Sequence, residues 1–183
     1  NIHKHVFVHP FEDPHVIAGQ STIATELLEQ LDQIDFVFGS IGGGGLMTGI
    51  GHVMKKRSPK TKIVGAQATG ASSMIKSLRE HKVVHSKYSS TFADGVKVKR
   101  TSRSMYSHLK ELVDIPVAVE DSQIAMSLLE LLENAHVLAE GAGALPLAAF
   151  ETLFNKTPKK FAAKNVVLII CGGNIDVNLL GRI

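Results

Sequence analysis

Four consecutive glycines, Gly42-Gly43-Gly44-Gly45, stand between the apolar run Phe36-Val37-Phe38 and a segment of helical period from Gly45 to Lys56. A backbone without Cβ atoms can turn sharply from strand into helix and lets an anion come close to its amides. The first amides of the helix add the positive end of its dipole. Such a turn predicts a fold in which strands feed helices, with a seat for a phosphate at the junction. The alternative is a tight turn with close helix-to-sheet packing, for which one or two glycines suffice. A tract of four costs far more unfolded-chain entropy, which favours the anion.

The rest of the chain extends the same rhythm. Strand-like runs lie at Phe36 to Phe38, Ile63 to Ala66, Ile115 to Val119 and Val166 to Ile170, and a further one is suggested by Val6-Phe7-Val8. Helical patterns cover Ser21 to Leu31, Gly45 to Lys56, Ser72 to Arg79, Asp121 to Asn134, Ala142 to Phe154 and Ile175 to Ile183. Ser21 is a cap candidate, and Ile23, Leu27 and Leu31 share one face. Alternation of this kind predicts an α/β domain of three layers, a mostly parallel sheet with helices on both faces. The last strand is the most apolar and is expected at the centre, covered on both sides. Residues 81–104 carry the least periodicity and predict a long surface excursion. A length of 183 residues suits one domain.

Charge and cysteine content exclude several function classes. The net charge is +3, and the densest basic run, Lys55-Lys56-Arg57, sits at a helix C-terminus where cations are favourable on local grounds. With no Trp and scattered aromatics, no nucleic-acid partner is expected. A single cysteine, Cys171, rules out an internal disulfide and multi-cysteine zinc sites, and suits a cytoplasmic setting. No apolar run approaches the length of a membrane span, so no membrane partner is expected. The start at Asn1 without Met suggests a beginning that has been cut away.

Two nucleotide readings lose an anchor. A P-loop needs Lys-Ser/Thr after its last glycine, whereas Gly49 is followed by Ile50. A dinucleotide fingerprint needs a third glycine where Met47 or Thr48 stands, and an acid where the next strand ends in Gln67. Neither reading is thereby excluded. A second strand-to-glycine turn, Ile170-Cys171-Gly172-Gly173-Asn174, would open on the same edge of a parallel sheet. Cys171 could face that crevice or be a small buried hydrophobe.

Five segments occur together in one order: His9 to Thr22, the tetraglycine turn, Ala93-Asp94-Gly95-Val96, Glu140-Gly141-Ala142-Gly143-Ala144, and Cys171 to Asp176. In this the chain resembles the threonine dehydratase family with its relatives serine dehydratase and serine racemase, of the tryptophan-synthase-β-like, fold type II pyridoxal-phosphate enzymes. The resemblance implies pyridoxal 5'-phosphate as cofactor, its phosphate held by Gly42, Gly43, Gly44 and Gly45 with the amide of Leu46. It puts Cys171 beside the pyridine nitrogen. A neutral thiol there would leave the ring a weaker electron sink and favour β-elimination over transamination. Asp94, Gly95, Glu140 and Gly172 fall in segments that line the family's active site, although Glu140 could equally be an acid at a helix N-terminus.

The resemblance also exposes what is missing. The family's Schiff-base lysine lies in a Ser-x-Lys-x-Arg-Gly motif upstream of the phosphate turn, and Lys4 is the sole lysine before Gly42. Residues 1–183 therefore read as the C-terminal portion of the large, pyridoxal-phosphate-binding catalytic domain, incomplete and inactive alone, with the small domain also absent. The full-length form is expected to convert threonine or serine into a 2-oxo acid and ammonia, in isoleucine biosynthesis or threonine catabolism, as a homo-oligomer. Serine racemization on the same fold is the nearest alternative. A non-catalytic fragment that binds phosphate or a partner chain is another. Some relatives bind a cation with a Glu and an Asp where this chain has Gln67 and Ser73, so no divalent metal is expected there. His9, His15 and His136 are read as isolated loop histidines.

Overall fold

A computed structural model describes residues 6–176 together with Asn178 and Gly181. Four strands, β1 (Phe36–Ser40), β2 (Lys62–Ala68), β3 (Ile115–Val119) and β4 (Val166–Leu168), form a sheet of order β3-β2-β1-β4. Every pairing is parallel, with Val37 opposite Ile63 and Val167, and Ala66 opposite Val117. Among the described residues six α-helices surround it: α1 (Pro14–Gln30), α2 (Gly45–Arg57), α3 (Ser73–Glu80), α4 (Arg103–Leu112), α5 (Asp121–Glu133) and α6 (Gly141–Lys156).

The strand period sorts the core into two halves. Phe36, Phe38, Val64, Ala66, Val117 and Val119 face α5 and α6, whose Ile124, Leu128, Leu145 and Ala149 are buried against them. The intervening Val37 and Ile63 face the other way, toward Ala24 of α1, Ile50 and Met54 of α2, Ile75 of α3 and Leu109 of α4. Alternation at period two thus covers both faces, giving the three expected layers.

Chain order explains where a ligand can enter. From β1 the chain runs through α2 on one face to β2 and β3, then returns through α5 and α6 on the opposite face to β4 on β1's other side. Connections that leave to opposite faces part the loops beyond β1 and β4. In open parallel sheets that gap is the binding crevice.

Several local expectations are corrected. β4 pairs only with β1 and lies at the sheet edge among the described residues, half-buried rather than central. Its apolar run is spent on one neighbour and on α6. Val6, Phe7 and Val8 form no strand and are exposed. The first helix begins at Pro14, not Ser21. Asp13 accepts a hydrogen bond from the His15 amide at 2.8 Å, and Pro14 occupies the first turn, where its missing N–H costs nothing. Ser21 lies within the helix and donates back to the Ala18 carbonyl. The excursion at 81–104 holds only the short turn Asp94–Val96 and the bridge His85↔Arg100 before α4, a helix left unassigned in the sequence. The helix expected over Ile175 to Ile183 falls mostly outside the described residues.

The candidate active site at the β1 and β4 crevice

At the C-terminal edge of the sheet, β1 ends at Ser40 and the chain passes through Gly42–Gly45 into α2. Gly44 has φ +113°, a left-handed conformation that strains any residue with a Cβ. A Cβ there would also stand 2.9 Å from Leu109 Cδ1 of α4. The turn is pressed from other sides as well. A Cβ on Gly42 would come within 2.8 Å of the Gly95 carbonyl oxygen, and one on Gly43 would run into the Phe11 ring. The tract is therefore required by close packing and by a positive φ, and its amides are left as its polar surface.

Those amides have no side-chain cap. In α1 and α4, Asp13 and Ser102 accept from the first-turn amides of His15 and Met105, and in α3 the Gln67 side chain accepts from the Ile75 amide at 2.9 Å. Neither α2 nor α6 has any such partner, and neither has an acid in its first turn. Two helix N-termini whose first-turn amides lack side-chain caps thus meet at one cavity of about 340 Å³, where Glu140, the N-cap residue of α6, also brings its carboxylate, the helix-terminal acid that the sequence allowed. That volume suits a small ligand. It is lined by Ser40, Gly42 to Leu46, Gly95, Glu140, Ala142 and Cys171, with Pro10 and Phe11 closing one side.

A proline locks the two walls together. Pro146 sits inside α6 and has no N–H for the Ala142 carbonyl four residues earlier. Ser40 Oγ supplies the donor instead, at 2.6 Å and out of solvent. The end of β1 is thereby fixed to the first turn of α6.

Across the crevice, the chain leaving β4 is gathered around Glu140. The Glu140 amide donates to the Gly172 carbonyl at 3.0 Å, and the Asn174 amide donates to Glu140 Oε2 at 3.2 Å. Gly172 has φ +107°, and a Cβ there would meet Glu140 Oε1 at 2.7 Å. Cys171 is open to solvent on one side. Burial of its thiol and the nearby Glu140 carboxylate push its pKa up, so the sulfur stays protonated at neutral pH.

The predicted residues come together with one exception. Gly42 to Gly45, Leu46, Gly95, Glu140 and Cys171 line the same cavity. Gly172 borders it through Glu140. Asp94 lies outside, its side chain 84% exposed and 3.7 Å from Lys97, beside a smaller cleft with Asn174 and Asp176. Sequence reasoning missed Ser40, Phe11 and Ala142; the signal for the first and last was Pro146, which frees a carbonyl that something must satisfy. At the cation position of some relatives, Gln67 is a neutral cap on α3 and Ser73 Oγ donates to the Val98 carbonyl. Of the histidines read as loop residues, His9 accepts from the amides of Phe11 and Glu12, whereas His15 lies in the first turn of α1 and pairs with the capping Asp13.

The chain matches the family described as "Pyridoxal-phosphate dependent enzyme" over residues 1–172. It is similar to an L-threonine ammonia-lyase of Thermotoga maritima, 45% identical over 178 residues that cover 97% of this chain and 43% of that protein. Among solved structures it resembles the processed form of threonine deaminase isoform 2 from Solanum lycopersicum, at TM-score 0.90 and 35% identity over 96% of this chain and 50% of that one. It also resembles maize serine racemase, at TM-score 0.89 and 30% identity over 97% of this chain and 54% of that one. The chain thus spans less than half the length of the curated relative it matches.

Proposed function

This chain belongs to the pyridoxal-phosphate-dependent enzyme family, and we propose that it forms the phosphate-gripping wall of a site that dehydrates and deaminates L-threonine, with L-serine as a second substrate. One observation carries the reading: two helix N-termini without side-chain caps, one led by four glycines, converge on the crevice at the sheet's switch point. The amides of Gly43, Gly44, Gly45 and Leu46 would take the cofactor phosphate, and their lack of side chains fits the close approach a phosphate requires.

When bound, the cofactor supplies an electron sink for the charge left by loss of the substrate's α-proton. Cys171, kept neutral by burial and by Glu140, would offer the ring nitrogen a weak partner and no counter-charge. A moderate sink of this kind suits expulsion of a β-hydroxyl. Glu140 holds the Cys171–Asn174 turn against the cavity through two hydrogen bonds and acts as a positioning residue. Ser40 fixes the two walls at one separation through the Ala142 carbonyl.

In this reading residues 1–183 are the C-terminal portion of the catalytic domain, and the lysine that moves the α-proton comes from a segment outside them. The assembled protein would be a homo-oligomer of the cytoplasm, acting on small amino acids and on neither nucleic acid nor membrane. Among the described residues no helix is long and apolar enough to cross a bilayer.

The test joins the lysine-bearing segment to this chain in frame. The protein should turn yellow with pyridoxal phosphate and release 2-oxobutanoate from threonine; one that stays colourless and inactive defeats the enzyme reading. D-serine from L-serine, without 2-oxo acid, would establish racemization instead. For the chain itself, phosphorus NMR should show pyridoxal phosphate broadened on binding, and an unchanged signal counts against the cradle.

A further inference from the structure

Behind the cradle lies a larger groove, about 560 Å³, between α1, α2 and α4. Its rim brings together two histidines 56 residues apart in sequence: His52 of α2 and His108 of α4, with His52 Nε2 and His108 Nδ1 separated by 3.2 Å. The rings meet nearly edge to face, with centroids 5.2 Å apart and planes at 80°. We propose that this pair is a binding site for a divalent transition-metal ion of the zinc class.

Two imidazole nitrogens bound to one tetrahedral zinc, each at about 2.0–2.1 Å, stand roughly 3.3 Å apart. The observed separation of 3.2 Å is close to that, and in place of the present hydrogen bond each ring would turn to aim its lone pair at a shared ion. Without metal, one ring must donate its proton to the other. For both facing nitrogens to present lone pairs, the donor ring moves that proton to its outer nitrogen, so binding releases no net proton from the neutral pair.

The remaining positions belong to water, because no third imidazole, thiolate or carboxylate completes a set among the described residues. Lys56 and Arg57 line the same groove and oppose a cation, while Glu12, which also lines it, favours one. A two-ligand site with that balance binds weakly and selects nitrogen-loving ions of the Irving–Williams order over magnesium or calcium. Its consequence for the fold is specific. α4 also packs Met105 and Leu109 against Gly44, so a metal bridging α2 to α4 would stiffen the turn that leads the cradle.

The experiment is thermal denaturation of this chain with zinc chloride in excess, then with chelator. Zinc should raise the midpoint by about 2–5 °C, reversibly, and His52→Asn and His108→Asn should each remove most of the shift. An unchanged midpoint in the unsubstituted chain, or an equal shift in both variants, overturns the proposal. Cobalt(II) on the unsubstituted chain gives a second readout free of any folding defect. Weak visible bands of nitrogen-bound cobalt are expected, whereas a strong thiolate charge-transfer band would assign the metal to Cys171 and overturn the pair.

Discussion

The two edges of the sheet are built by opposite rules. At the N-terminal edge, carboxylates stitch strand to strand. Asp114 accepts from Lys55, Lys62 and the Ile63 amide, and Asp35 accepts from Lys164 and the Asn165 amide. At the C-terminal edge, α2 and α6 begin with no side-chain cap, and the two glycines of positive φ among the described residues, Gly44 and Gly172, both lie there. One edge satisfies its own polar groups and so serves stability. The other leaves first-turn donors without side-chain partners and puts its glycine-only turns beside them, the arrangement that an anion can use.

Substitutions should separate the two roles. The largest effect is expected at Gly44, where valine would face both a positive φ and Leu109. Gly44→Val should lose about 2–4 kcal/mol of stability in urea denaturation and abolish binding of pyridoxal phosphate. A variant of full stability would show that the turn is looser than its packing implies. Next comes Ser40→Ala, which strands the Ala142 carbonyl and should cost about 1–3 kcal/mol. Pro146→Ala restores an N–H to that carbonyl, so the double variant should recover part of the loss; simple additivity would mean that the proline and the serine are not coupled.

The opposite edge should yield stability losses alone. Burial by itself would raise the pKa of Asp114, but the hydrogen bonds from Lys55 and the Ile63 amide and the charges of Lys55 and Lys62 outweigh it and hold the carboxyl low. A carboxyl lowered in the folded state contributes stability above its unfolded pKa, and that contribution disappears as pH falls through the folded value. Asp114→Asn should therefore cost about 1–2 kcal/mol at neutral pH, flatten the acid limb of the stability curve, and leave phosphate binding intact. Weakened phosphate binding in that variant would erase the division between the edges.

Features with local causes were legible in the sequence. Four glycines after an apolar run gave the turn, and short apolar runs gave all four strands of the described residues together with one at Val6 that does not form. Long-range pairing was not legible, so β4 was expected at the centre although it pairs with β1 alone. α4 was legible but not assigned: its buried Met105, Leu109 and Leu112 follow the four- and three-residue spacing of one helical face, but the aperiodic stretch running up to Ser104 drew the reading away from a helix start at Arg103. Asp13-Pro14 carried a helix start that lost to the more conspicuous Ser21. Contacts across great sequence distance, such as Ser40 with Ala142 and His52 with His108, have no signature in a single chain. A proline inside a helix is a partial exception, because it announces an unpaired carbonyl without naming its partner.

The smallest expected effect concerns Cys171, and it isolates electrostatics from packing at the open edge. The thiol is pushed up first by burial and then by Glu140. Since only thiolate is alkylated, Cys171 should react with iodoacetamide more slowly than a free thiol at neutral pH and gain rate only as the solution becomes alkaline. Glu140→Gln removes the charge but keeps an oxygen that can accept from the Asn174 amide. Its alkylation profile should shift to lower pH while the melting temperature changes little, since burial remains. A profile that does not move would mean that burial alone holds the thiol neutral, leaving Glu140 to shape the turn without tuning the sulfur. A large fall in melting temperature would instead place Glu140 with the stitching carboxylates of the opposite edge.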